Sequence, residues 1–163
     1  MTGPASPADQ VRVRTADAAD LPALREVYRR SSLSNAGEVD VLLAHPEVLV
    51  LPDANVLGGR TRVAVDPQGV LVGFATVVGD GPSRELDDLF VDPDHQRRGV
   101  ATLLLADAAE RTRRDGATRI EVTGNPHALE FYESVGFVRV GEVSTELGTG
   151  IRMHLDVSAP GRE

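Results

Sequence analysis

Three carboxylates, Glu85, Asp87 and Asp88, crowd into four positions of the stretch RELDDLFVDPDHQRRGVA at residues 84–101. The same stretch closes on Arg97, Arg98 and Gly99, just ahead of residues with helical spacing. Carboxylates so placed suit the binding of a cation, or the removal of a proton from an ammonium group directly or through water. The basic turn suits a phosphate. A helix N-terminus leaves backbone N–H groups unpaired and carries about half a positive charge, so it receives anionic oxygen. Arg97 and Arg98 can add charge-assisted contacts, and Gly99 lets the backbone approach a ligand closely. The plainer reading is a solvated turn entering an ordinary helix. Other phosphate loops fit worse, because neither G-x-x-x-x-G-K-[ST] nor G-x-G-x-x-G occurs. His45, His95 and His154 have no metal-ligand spacing, so no metal site is expected.

The elements that must position these groups follow from periodicity. VRVRT (11–15) alternates as a half-buried strand does. Asp17 and Asp20 suit a helix N-cap and its third position, with Leu21, Leu24, Val27 and Tyr28 as the apolar face. Pro22 predicts that the regular helix starts a few residues after the cap signal. A polar break at SSLSNAG (31–37) and a second helix over Glu38–Ala44 are expected next. TRVAVD (61–66) and VLVGFATVV (70–78) read as strands joined by a turn at Pro67-Gln68-Gly69. RELDDLFV is a third strand, its alternation placing Glu85, Asp87, Leu89 and Val91 on one face and Leu86, Asp88 and Phe90 on the other. Asp88 therefore shares its face with apolar neighbours, a costly position unless it is paired or near the strand end. Val100, Leu103, Leu104 and Ala108 make 97–114 a helix that ends near Gly116, and TRIEVT (118–123) is the next strand. Asn125-Pro126 reads as N-cap and first helical position of a short helix to Ser134, with Phe131 as its core residue and His127 on its surface. FVRVGEV (137–143) and IRMHLDV (151–157) close the chain as strands flanking an STELGTG loop. A helix between the strands at 84–91 and 118–123 predicts a parallel pair with a right-handed crossover. The remaining connections are short and antiparallel, giving an α/β fold of the α+β type: a mixed, mostly antiparallel sheet with helices on its faces.

At 163 residues the chain is expected to form a single domain over 11–157, with flexible tails at 1–10 and 158–163. A net charge of −8 disfavours a general nucleic-acid or anionic-membrane surface. The chain has no cysteine, which excludes disulfides, thiolate ligands and a cysteine nucleophile. Neither a signal-like start nor an apolar run near the roughly 18 residues of a membrane span is seen, so a cytoplasmic protein is expected. All 17 basic residues are arginine, a bias resembling that of a GC-rich bacterial genome.

Two segments carry a family resemblance. LDDLFVDPDHQRRGVATLLL (86–105) resembles the acyl-CoA motif of the GNAT superfamily of N-acyltransferases, with Gln96-Arg97-Arg98-Gly99-Val100-Ala101 at its Q/R-x-x-G-x-G/A core. NPHALEFYESVGF (125–137) resembles that family's second motif, in which an asparagine opens a helix and a tyrosine precedes a Gly-Phe. The resemblance implies a GNAT-like sheet whose parallel strands splay apart, and acetyl-CoA as co-substrate. It implies that the backbone of Leu89, Phe90 and Val91 pairs with the pantetheine arm, and that Gln96 to Thr102 cradle the pyrophosphate. Asn125 would help to hold the cofactor. Glu85 matches the position of the catalytic glutamate in the histone-type branch, with Asp87 the next candidate base. Tyr132 matches the usual proton donor to the departing thiolate.

That chemistry is consistent with the residues. An alkylamine of pKa about 10.4 is unprotonated in only about one part in a thousand at neutral pH, so a base is useful. A phenol of pKa about 10 can reprotonate a thiolate held close to it. The same acids could instead cap, pair with arginines such as Arg84 or Arg119, or bind a cationic substrate without proton transfer. The resemblance places the acceptor between the 31–37 break and the STELGTG loop, with Ser32, Ser34, Asn35 and Glu146 as its polar groups. The expected function is transfer of an acetyl group to a small-molecule or protein amine, with homodimerisation an open option. A non-catalytic acyl-CoA-binding module is the alternative, and a structural subunit that binds no cofactor a further one.

Overall fold

The strands form where alternation and β-branched residues coincide, and they join one seven-stranded sheet of order β1-β2-β3-β4-β5-β7-β6. In the computed structural model, which describes residues 11–33, 51–96, 98–145 and 148–158, these are β1 (Arg12–Thr15), β2 (Thr61–Val65), β3 (Leu71–Val78), β4 (Ser83–Val91), β5 (Arg119–Gly124), β6 (Val138–Thr145) and β7 (Gly148–Asp156). The helices are α1 (Leu21–Leu33), the short α2 (Ala54–Leu57), α3 (Val100–Arg114) and α4 (Leu129–Ser134). The β1–β2, β2–β3, β5–β7 and β6–β7 pairs are antiparallel, while β4 and β5 are parallel. The mixed, mostly antiparallel fold expected from the sequence is the one observed.

Contacts divide the chain into two compact units, Met1–Thr76 with Asp88–Ala106, and Val77–Asp87 with Asp107–Glu163. In the first, Leu24 and Val27 of α1 are buried with Ala16, Leu51, Val56, Val63, Leu71 and Phe74. Phe90 packs edge-on to Tyr28 at 4.9 Å and against Phe74 at 5.5 Å. Asp88 lies near enough to raise the Tyr28 pKa, adding its charge to the effect of burial, as its shared face with Phe90 implied. Gly73 is required where it stands: a Cβ there would meet the Phe90 carbonyl oxygen at 2.9 Å. In the second unit Ile120 and Val122 of β5 and Ile151 and Met153 of β7 are buried, while Glu121, Thr123 and Arg152 alternate with them.

The local signals explain most boundaries. Asp17 and Asp20 form a capping box, but around a 3-10 turn at Ala18–Asp20; α1 follows from Leu21, and Pro22 sits in its first turn where no N–H is needed. Asp66 Oδ1 accepts from the N–H groups of Gln68 and Val70, 2.9 Å each, and fixes the β2–β3 turn. Helix α3 starts at Val100, not at residue 97, and after it Gly116 takes φ 89°.

Two expectations are corrected. Ser31 and Ser32 do not break the chain; α1 runs through Leu33, its hydrogen-bonded turns outweighing the modest penalty of two serines. STELGTG is not a seven-residue loop, because Ser144 pairs with Thr149 and Thr145 with Gly148, extending both strands to leave only residues 146 and 147 between them. The expected helix over 38–44 and the tail 1–10 lie outside the described residues. Helix α2 was not foreseen; four residues are too few for a period to register. Strand β6, at one end of the sheet order, carries a register shift between Arg139 and Gly141.

Candidate active site

The parallel β4–β5 ladder pairs Ser83, Arg84 and Glu85 with Arg119, Ile120 and Glu121, and stops there. Strand β5 continues to Gly124 with β7 as partner, through Val122↔Met153, Thr123↔Arg152 and Gly124↔Ile151, while β4 runs on to Val91. The parallel ladder therefore ends at Glu85 and Glu121, and these two acids stand side by side on its last rung.

Glu85 is half-buried and held on both oxygens. Arg152 Nη1 donates to its Oε2 and Nη2 to its Oε1, each at 2.8 Å. Arg152 also donates from Nη2 to Glu121 Oε1 and from Nη1 to Thr123 Oγ1 at 3.0 Å. Ser83 Oγ donates to Glu121 Oε2 at 2.6 Å. The Ser83 hydroxyl first, and then Arg152, hold the Glu121 carboxyl below its ordinary range, while the bond to Glu85 leads in raising Arg152. The arginines expected to pair with the acids are engaged differently. Arg84 donates to the Gly81 carbonyl at 2.8 Å and lies 3.7 Å from Asp115, and Arg119 reaches Glu121 only at 3.9 Å. Asp87 is exposed.

Tyr132 lies on α4, which follows a 3-10 turn capped by Asn125 Oδ1 on the Ala128 N–H at 2.9 Å. The expectation that Phe131 is the core residue is reversed: Tyr132 is 7% exposed and Phe131 half-buried. The cause is a pair of edge-to-face ring contacts, in which Tyr132 meets Phe131 at 5.3 Å and Phe137 at 5.1 Å. Burial pushes the Tyr132 phenol well above its ordinary value of 10. Its ring lies against the end of β5, since a Cβ on Gly124 would approach Cε2 of Tyr132 to 3.2 Å.

The residues expected to bind the cofactor fall in the first unit, apart from Asn125. Leu89 and Phe90 are half-buried and Val91 buried, with the Val91 carbonyl accepting a long 3.4 Å bond from Gln96 Nε2. Arg98 and Gly99 are exposed, and Gly99 has φ 82°. The Gly99 carbonyl accepts from Leu103 N at 2.9 Å, so it opens α3 and leaves the N–H groups of Val100, Ala101 and Thr102 without intrahelical acceptors. A glycine in the left-handed region beside these donors fits a close-lying phosphate. Arg97 lies outside the described residues. So do Ser34, Asn35 and Glu146, while Ser32 is half-buried within α1. His127 is exposed in its first turn. Among the described residues no three His, Asp or Glu side chains are gathered as metal ligands would be.

Arg152, Glu121, Ser83 and Thr123 were not singled out from the sequence. Alternation marks Glu121, Thr123 and Arg152 as outward-facing, but only the register of β5 with β7 brings Arg152 to the acids.

A β4–β5 ladder that ends at a carboxylate, and a glycine-led helix after β4, stand where the family resemblance led one to expect them. Comparison with known proteins agrees. A sequence model of the acetyltransferase (GNAT) domain matches residues 54–155, and the chain belongs to the GNAT acetyltransferase family. N-alpha-acetyltransferase RimI of Mycobacterium tuberculosis is 41% identical over 98 residues, 57% of this chain and 58% of that protein. Streptothricin acetyltransferase of Streptomyces lavendulae is 37% identical over 87 residues, 50% of this chain and 46% of that protein. The chain thus spans about half the length of these curated relatives. The L-amino acid N-acyltransferase MnaT of Escherichia coli is 26% identical over 159 residues and 90% of each chain. Among solved structures, the PaiA N-acetyltransferase of Thermoplasma acidophilum in complex with coenzyme A superposes with a TM-score of 0.69 at 18% identity, over 90% of this chain and 98% of that one.

Proposed function

We propose that this protein transfers an acetyl group from acetyl-CoA to an amine. The observation that carries the reading is the early end of the β4–β5 ladder at Glu85 and Glu121, which frees the later residues of β4 from β5. The backbone of Leu89 to Val91 offers an edge on which a pantetheine arm can lie as an added strand would. Gly99 and the open N–H groups of Val100 to Thr102, with Arg97 and Arg98, would hold the pyrophosphate, and Asn125 would contribute its side-chain N–H donors. Acetyl-CoA supplies a thioester carbon: the amine nitrogen bonds to it as the carbon–sulfur bond breaks. Glu85 and Asp87 serve the acceptor, whose ammonium proton leaves to one of them or to water. Tyr132, kept protonated by burial, donates to the departing thiolate and is reprotonated from solvent.

The relatives' names cover an N-alpha-acetyltransferase, an L-amino acid N-acyltransferase and acetyltransferases of streptothricin and glucosamine 6-phosphate. They support an amine acceptor without selecting one. The test is a calorimetric titration with acetyl-CoA of the wild-type protein and of a variant with Arg97 and Arg98 both changed to Ala. Micromolar binding that weakens at least tenfold in the variant supports the cradle. Absence of binding at millimolar cofactor sinks the reading. Thiol release against an amine panel then separates an enzyme from a binding module, and the cysteine-free protein adds no background thiol.

A further inference from the structure

We propose that Arg152 is a positioning residue for acetyl transfer: its two-pronged grip fixes the Glu85 carboxylate in one orientation, in which it holds the water that relays the acceptor's ammonium proton to solvent. The inference rests on the acetyl-transfer reading above and deepens it at the same site.

The register creates the need for such a residue. Glu85 and Glu121 are direct neighbours on a parallel rung, where strands lie about 4.8 Å apart and like charges destabilise the pair. Arg152 stands opposite Thr123, two residues beyond Glu121 on the same face of β5, and its guanidinium turns back onto both acids. Four of its five N–H groups are committed: two to Glu85, one to Glu121 and one to Thr123. With Ser83 on the second oxygen of Glu121, all four carboxylate oxygens of the two acids hold a hydrogen. A carboxylate forked by a guanidinium is fixed in orientation, yet each oxygen keeps a lone pair for a water or an ammonium N–H. Among the described residues of β4, β5 and β7, the other charged groups on this face are Asp87 on β4, Arg119 on β5 with Asp156 opposite it, and His154 opposite Glu121 on β7. Arg119 approaches Glu121 only at 3.9 Å, so Arg152 is the cation that separates the two acids. The proton step balances simply: the ammonium proton passes through the oriented water to bulk water or buffer base, leaving a neutral amine at the site.

The experiment is a pH profile of kcat/KM from about pH 5.5 to 9.5 with one amine and acetyl-CoA, followed by thiol release. It compares wild type with R152Q, R152K and the double variant R152Q/E121Q, each checked for folding by thermal melting. In wild type, kcat/KM should rise with unit slope to the acceptor's own pKa. In R152Q, Glu85 and Glu121 face each other with no cation between them, and Glu121 loses the guanidinium that helps to hold its carboxyl below the ordinary range. A second acid limb should then appear below about pH 6, with kcat about 10- to 100-fold lower and the KM for acetyl-CoA unchanged. The added E121Q change should abolish that limb. R152K keeps the charge but not the fork, and should retain the wild-type shape at a kcat several-fold lower. A merely structural arginine would alter melting and leave the profile's shape alone. An R152Q profile that superimposes on wild type in shape overturns the proposal; should R152Q not fold, a wild-type kcat in R152K does so. A wild-type protein that turns over no amine would instead remove the acetyl-transfer reading. The grip itself would then be tested by carbon-13 NMR titration of Glu121, whose midpoint should rise in R152K and whose constancy would refute it.

Discussion

Replacing Gly124 by alanine tests how Tyr132 is held. Gly124 ends β5, and a Cβ there would lie 3.2 Å from Cε of Met153, 3.2 Å from Cε2 of Tyr132 and 3.5 Å from its Cδ2. None of these atoms has an easy retreat, since Met153 is 0% and Tyr132 7% exposed, and the ring also meets Phe131 and Phe137 edge-to-face. Overfilling a packed core costs about 1–3 kcal/mol, and two contacts at this distance belong in the lower half of that range. Alanine recovers about 0.4–1 kcal/mol by narrowing the unfolded ensemble. The net loss is about 1 kcal/mol, or a fall in Tm of about 2–4 °C for a chain of this size. Relief of the contacts moves the ring by a few tenths of an ångström. A 1 Å misplacement can cost about a hundredfold, so turnover should fall about two- to fivefold while acetyl-CoA affinity holds. Differential scanning calorimetry and thiol release read both effects. Gly141→Ala is the control: a Cβ there meets nothing within 4 Å, and its Tm should be unchanged or slightly higher. A Gly124→Ala variant that melts and turns over like wild type would show that the end of β5 does not fix Tyr132.

Tyr132→Phe should lower turnover at least tenfold with cofactor affinity nearly intact; unchanged turnover would take Tyr132 out of the mechanism. Its buried phenol has a raised folded pKa, so the wild-type protein should lose stability as pH climbs above the unfolded value of about 10, and the phenylalanine variant should lose less, as alkaline melts would show. On the acid side, Glu121 is held below its ordinary range chiefly by the Ser83 hydroxyl, so its contribution is present above the unfolded value of about 4.3 and fades as pH falls through the folded one. Ser83→Ala should shrink that acid-side loss and raise the Glu121 midpoint in an NMR titration.

Much of this fold is legible because its signals are local. The Asp17–Asp20 box, the Asp66 turn, the Asn125 cap and the Gly116 terminus each rest on residues within five positions of one another, and each appears where the sequence put it, give or take the 3-10 turns. Helix α3 between β4 and β5 forced a parallel pair through chain connectivity alone. What the sequence hid depends on register. That Glu85 meets Arg152, 67 positions away, follows only from how β5 aligns with β4 on one side and β7 on the other. The same holds for Ser144 and Thr145, whose polarity suggests a loop until their partners on β7 are known. The burial of Tyr132 ahead of Phe131 is likewise a packing outcome: three rings meet, and the one facing Gly124 is the one enclosed.

The register shift in β6 bears on the solubility of the chain. This strand ends the sheet order and shows solvent Val138 and Val140, both more than half exposed, with neither proline nor lysine to discourage another strand from docking. Its protection is the irregularity itself, in which Val140 is the extra residue between the Arg139↔Met153 and Gly141↔Arg152 pairs, together with the Arg139–Glu142 ion pair at 2.6 Å beside it. Deleting Val140 would leave every other pairing of β6 with β7 in place while straightening the rim into an unbroken template. The shortened protein should then be the one that self-associates and precipitates on concentration, with its fold and its chemistry otherwise unaltered.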